Sequence, residues 1–167
     1  MRILKKLFLF LIILSVVAIA GLIYHRHVVE PRRCLSGEVD VHHPDYVKCG
    51  PIIEQNLLAK AQNGDAEAAY RLALLYDIGD RIPENRERAI YWLQKAEQAN
   101  LADAQYVMAV WAERKYFGPA SKELVLPMYE AAARQGHLNA MKSLANIYRT
   151  TDLEKHQYWM KRIRRHK

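Results

Sequence analysis

Two cysteines are the first residues that invite chemistry. Cys34 and Cys49 enclose 14 residues that include His42, His43, Pro44 and Asp45. Three readings are open. In an oxidising compartment the pair reads as a disulfide, which would stabilise the chain by roughly 3 kcal/mol, chiefly by restricting the unfolded state. A metal site from Cys34, His42, His43 and Cys49 is the second, although adjacent histidines rarely converge on one ion and no standard zinc spacing occurs. Free thiols are the third. The other familiar constellations are missing. There is no Gly-x-Ser-x-Gly elbow, no phosphate-binding glycine loop and no His-Glu-x-x-His. Carboxylates such as Glu67, Asp77, Asp80 and Glu84 are interspersed with cations, the pattern of a solvated helix face. His137 has no nucleophile near it in sequence and reads as a capping or surface residue. These observations argue against an enzyme, and they call for no cofactor and no metal.

The charge distribution excludes a nucleic-acid binder. The net charge is +7, yet residues 34–160 carry 14 Lys and Arg against 17 Asp and Glu, a balance of −3. The basic excess lies at the two ends: Arg2, Lys5, Lys6, Arg26, Arg32 and Arg33 on one side, Lys161, Arg162, Arg164, Arg165 and Lys167 on the other. A nucleic-acid interface needs a basic face on the folded domain itself. Cations at the end of a final helix are favourably placed by its dipole. The sharper reading of the tail is contact with anionic lipid or an acidic partner.

The positive start precedes an apolar run, Leu7 to Tyr24, of 18 residues without a charge. As a helix it would rise about 27 Å, just enough for a bilayer core. Ala18-Ile19-Ala20 fits a signal-cleavage site after Ala20, but the run stays apolar through Leu22, Ile23 and Tyr24, where a cleaved precursor turns polar. The expected arrangement is a single-pass anchor in a bacterial inner membrane with the rest of the chain in the periplasm. Cleavage to a soluble periplasmic form is the alternative. The expected organisation is an anchor or signal at 1–24, a linker with the Cys34–Cys49 loop at 25–50, and a helical domain at 51–167.

That domain is repetitive. GDAEAAYRLALLY from Gly64, NLADAQYVMAVWA from Asn100 and GHLNAMKSLANIY from Gly136 align without gaps at steps of 36 residues. Ala68, Ala104 and Ala140 coincide, as do Leu72, Met108 and Leu144, then Ala73, Ala109 and Ala145. The spacing i, i+4, i+7, i+8 puts Ala68, Leu72, Leu75 and Tyr76 on one helical face. Each segment is followed by a second helical pattern, at Arg86, Lys122 and Asp152, the last after a turn shortened by about five residues to Thr150 and Thr151. Gly79 and Pro83 mark stop and start in the first pair, and Ser121 an N-cap in the second. Pro127 interrupts the second closing helix, and an opening helix is expected from Ile52. Units of this kind cannot bury their apolar faces singly and must stack.

Gly64, Asp65, Ala68, Leu72, Tyr76, Gly79, Ala89, Trp92, Lys95 and Ala96 carry a resemblance to the Sel1-like repeats, relatives of the tetratricopeptide repeats. The second copy keeps Ala104, Ala109, Tyr129, Ala131, Ala132 and Gly136 but lacks the turn glycine. The resemblance implies an all-α fold, an α-α superhelix of about three helix pairs behind the N-terminal segment. It implies a scaffold that binds another protein. Exported members resemble immunity proteins that neutralise toxic lipase-type effectors. An adaptor or structural subunit of an envelope complex is the alternative, and a small envelope hydrolase a more distant one. The aromatic residues Tyr76, Trp92, Trp111, Tyr148 and Trp159 fall at core positions. Tyr70, Leu74, Tyr106 and Val110 lie on the first helix of each pair, rotated off the alanine face, with Arg71 and Lys142 as charged neighbours. Two readings stand for this column: a partner-binding groove, or a surface covered by the upstream helix or the cysteine loop.

Overall fold

A computed structural model of the chain describes the backbone of residues 2–36, 46–116 and 122–166, with side chains for these except 2–10, 27, 30 and 122. The described residues are helical or in turns, and they separate into two compact units, Met1–Gln55 and Asn56–Lys167.

In the first unit, α1 (Arg2–Tyr24) runs through a π-helical turn (His25–Val29) into α2 (Glu30–Ser36). The described side chains of α1 begin at Leu11, and all from there to Tyr24 are exposed. Among the described residues no helix is long and apolar enough to cross a membrane; Leu11 to Tyr24 alone would rise only about 21 Å. Cys34 lies in the last turn of α2 and Cys49 begins α3 (Cys49–Gln62). The two are joined as a disulfide with a Cα–Cα separation of 5.2 Å, both buried, with Tyr46, Ile52 and Ile53 packed around them. Their sulfurs are bonded to each other, and His42 and His43 lie outside the described residues.

The second unit holds the end of α3 and three helix pairs. First helices are α4 (Ala66–Ile78), α6 (Ala102–Glu113) and α8 (Leu138–Tyr148); second helices are α5 (Arg86–Gln98), α7 (Lys122–Arg134) and α9 (Leu153–Arg165). The first helices start 36 residues apart, as the repeat requires. Each packs most extensively on its own partner, and α6 and α8 also pack, less extensively, on the second helix of the preceding pair. All three rungs of small and large residues are buried: Ala68, Ala104 and Ala140; Leu72, Met108 and Leu144; Ala73, Ala109 and Ala145. The alanines let backbones approach, and the larger residues one turn on fill the space between helices.

Local signals explain where these helices begin. Asp65 and Asn85 accept the Ala68 and Arg88 amides at 3.0 and 2.9 Å, and Asp152 accepts that of Lys155 at 3.0 Å. Asp152 does so as a carboxylate, held below its usual range chiefly by that backbone amide. His137 is also an N-cap, its Nδ1 accepting the Ala140 amide at 3.1 Å. Gly79 ends α4 in the left-handed region at φ 67°, and a Cβ there would meet Glu84 Cβ at 2.9 Å. The following helix starts at the Asn85 cap rather than at Pro83, because only Asn85 offers a side-chain acceptor to the first turn.

Two other expectations change. Pro127 does not interrupt α7, which runs from Lys122 to Arg134 with the proline inside and exposed. Of the five core aromatics, Tyr76, Trp111, Tyr148 and Trp159 are buried, but Trp92 is only half-buried, because Leu93 takes the inward position on α5. The Ser121 cap lies outside the described residues.

Candidate partner-binding face

The residues marked for binding sit on α4, α6 and α8. Tyr70, Leu74, Tyr106 and Val110 are half-buried, and Arg71 and Lys142 are exposed. Their positions repeat every 36 residues: Tyr70, Tyr106 and Lys142 in one row, Leu74, Val110 and Asn146 in the next. Equivalent places have different surroundings, so the six do not form a uniform patch.

Tyr106 belongs partly to the core. Its ring stacks on the His137 imidazole at 4.4 Å, lies 5.9 Å from the Tyr129 ring, and packs on the cluster formed by α6, α7, α8 and α9. Val110 packs against the same cluster. Tyr70 is freer. Among the described residues its hydroxyl has no hydrogen-bond partner. Burial, then the nearby carboxylates of Asp103 and Glu67, raise its ionisation above the usual tyrosine value. Asp103 belongs to the second pair, so its carboxylate acts on Tyr70 electrostatically across the junction. The same carboxylate meets His137 Nε2 at 3.0 Å. With Nδ1 accepting at the cap, the tautomer that satisfies both contacts carries its proton on Nε2. Asp103, His137 and Tyr106 thus link the second and third pairs. Arg71 and Lys142 take no part in these contacts and are exposed.

Several structural residues were not singled out by the pattern. Asn100 adopts φ 63°, at the place where Gly64 and Gly136 adopt 89° and 96°. Its side chain accepts from Gln105 at 2.9 Å and Gln135 at 3.3 Å, while Gln135 also reaches Gln105 at 2.8 Å. This amide clasp ties the turn before α6 to the turn that follows α7, and it satisfies the buried Gln105. The 36-residue register was its signal, since it aligns an asparagine with two glycines. Lys115 adopts φ 61° in register with Gly79, so the second copy keeps the left-handed turn without the glycine. Beyond it, Tyr116 donates to Asp77, stacks on Trp111 at 4.8 Å and lies under the Arg86 guanidinium at 3.9 Å. Tyr129 donates to Glu113 at 2.7 Å, and burial first, then that bond, push its ionisation far above normal.

None of these arrangements pairs a nucleophile with a base, and the described residues hold no group of three or more potential metal ligands. Chemically, the face offers an aromatic surface with an unengaged hydroxyl, an acid beside it and exposed cations at its edges.

Comparison with known proteins accords with this architecture. The Sel1 repeat family model matches residues 66–101, which is the first helix pair and its following turn. A Sel1 repeat protein from Oxalobacter formigenes superimposes with a TM-score of 0.56 at 26% identity, over 61% of this chain and 40% of that one. The protective antigen c5321 of uropathogenic Escherichia coli, which displays an SLR fold, gives a TM-score of 0.61 at 22% identity over 80% of this chain. That match covers only 28% of the antigen, so this chain spans less than half of either relative.

Proposed function

We propose that this chain, a Sel1-like repeat protein, is a non-catalytic binding module that takes one protein partner on its α4–α6–α8 face. Sel1 repeats are in general protein–protein interaction scaffolds. The observation that carries the reading is Tyr70. It is half-buried, its hydroxyl has no hydrogen-bond partner among the described residues, and exposed Arg71 lies beside it. Aromatic and arginine side chains of this kind anchor many interfaces, because they supply contact area at low entropic cost.

The compartment proposed is outside a bacterial cytoplasm, with the Leu7–Tyr24 run as a tether. Its support is the basic-then-apolar start, together with two cysteines placed for a disulfide. Alkaline phosphatase fused after Lys167 is expected to be active, and a reporter that works only in the cytoplasm silent; the reverse pattern would remove both the topology and the export.

Partner class is tested by crosslinking the full-length protein in native membranes. Arg71→Glu is run beside Gln94→Glu, which changes charge on α5. A single stoichiometric toxic effector, lost with Arg71→Glu only, supports an immunity role. Several envelope subunits lost in the same way support an adaptor. Equal retention by both variants would move the interface off this face.

A further inference from the structure

We propose that the outer face of α9 docks onto anionic phospholipid headgroups. Trp159 turns one side of this helix into the core, and the opposite side exposes Tyr158, Lys161, Arg164 and Arg165. Among the described residues none of these three cations meets an acid, and on the helix itself only Glu154 carries negative charge. Arg162 is engaged differently. Its guanidinium lies 5.5 Å from the Trp159 ring centroid and donates to the Tyr158 hydroxyl at 3.4 Å, which fixes the tyrosine at the rim of the face.

The helix dipole favours cations in the last turn, and that alone would account for Arg164 and Arg165. It gives no reason for Leu153 and Tyr158 to stand 63% and 53% exposed on the same helix. Exposed point charges beside an aromatic ring with a polar tip match a diffuse phosphate layer better than a shaped protein pocket. Within the repeat domain charge complementarity favours this end of α9, since residues 34–160 carry 14 cations against 17 acids. The last two turns of α9 hold Lys161, Arg164 and Arg165 with no acid among them. Each lysine or arginine near an anionic leaflet multiplies association about fivefold, so three together give about a hundredfold. The inference rests on the membrane-tether reading, because a tethered domain meets the leaflet at high effective concentration.

The test footprints lysines with an acetylating reagent on the full chain. Nanodiscs of neutral phosphatidylcholine are compared with nanodiscs containing phosphatidylglycerol. Lys142, on α8, is the internal reference. In anionic discs the Lys161 rate should fall about tenfold relative to Lys142, with recovery in high salt. Arg164→Gln with Arg165→Gln should abolish most of the protection. Equal Lys161 to Lys142 ratios in both discs would overturn the proposal, as would protection that appears only when a protein partner is added. The reagent needs no partner, so failure of the partner-binding face leaves this result standing. Co-elution with neutral discs separately reports the tether.

Discussion

The first and second helix pairs use one backbone and different residues. Gly64 and Gly79 take the left-handed positions of the first; Asn100 and Lys115 take the same positions in the second. Asp65 caps α4, while Leu101, in register, makes no side-chain cap on α6. The second copy compensates through tertiary contacts: the Asn100–Gln105–Gln135 clasp on one side, and Tyr116 held by Arg86, Trp111 and Asp77 on the other. Tyr70 and Tyr106 differ for the same reason. Tyr106 packs near Tyr129 of its own pair and stacks on His137 of the third, whereas across the junction Tyr70 feels the Asp103 carboxylate electrostatically. A repeat fixes where a side chain starts; its neighbours decide whether it is core or surface.

The strongest way to break this comparison is to attack what both copies share. Ala104 is fully buried at the rung common to all copies. Ala104→Glu buries a charge without a partner and overpacks the junction, at a cost of several kcal/mol, enough to unfold a marginal domain. Circular dichroism should show loss of helicity. An unchanged melting temperature would mean that the 36-residue register is not a packing register.

The next effect separates the two tyrosines. Tyr106→Ala removes a ring packed on the core and should cost about 2–3 kcal/mol of folding stability. Tyr70→Ala should cost about 1 kcal/mol or less, as a half-exposed position does. Comparable losses of melting temperature would erase the distinction.

Alkaline titration reads the second pair. The Tyr129 ionisation is raised above its model-peptide value of 10.0 by burial first and the Glu113 bond second. A raised tyrosine contributes stability that is intact below the unfolded value and lost as pH climbs above it, because the unfolded chain ionises first. Melting temperature should therefore fall above about pH 10. Tyr129→Phe should lower stability at neutral pH through loss of the Glu113 contact and flatten the alkaline decline. An equally steep decline in the variant would place the alkaline sensitivity elsewhere.

Lys115→Gly gives the smallest effect. A lysine in the left-handed region is strained by about 1 kcal/mol, and glycine relieves most of it while adding unfolded-state entropy. A net gain of a few tenths of a kcal/mol is expected from chemical denaturation. A clear loss would show that the Lys115 side chain, not its backbone, holds the turn.

Much of the fold was legible because it is written twice or more. The alanine rungs, the stop at Gly79 and the capping role of His137 follow from side-chain size, acceptor geometry and glycine's freedom, all local properties. Pro127 misled because a local rule gave way to context: exposed near the start of α7, it leaves the helix unbroken. The candidate face was legible only as a set of positions. That Tyr106 stacks on His137, while among the described residues the Tyr70 hydroxyl has no hydrogen-bond partner, depends on contacts between residues more than thirty apart, which one sequence does not display. The two pairings of His137, to its own helix and to Asp103, were hidden in the same way.

Tyr70 is proposed to work at an interface and not in the core. The direct measurement is the affinity of the captured partner for wild type and Tyr70→Ala, set beside their melting temperatures. Truncating an interface anchor costs about 2 kcal/mol or more, so affinity should fall by well over tenfold while melting shifts by only a few degrees. Unchanged affinity, or a collapse of melting temperature with no separate loss of binding, would contradict it.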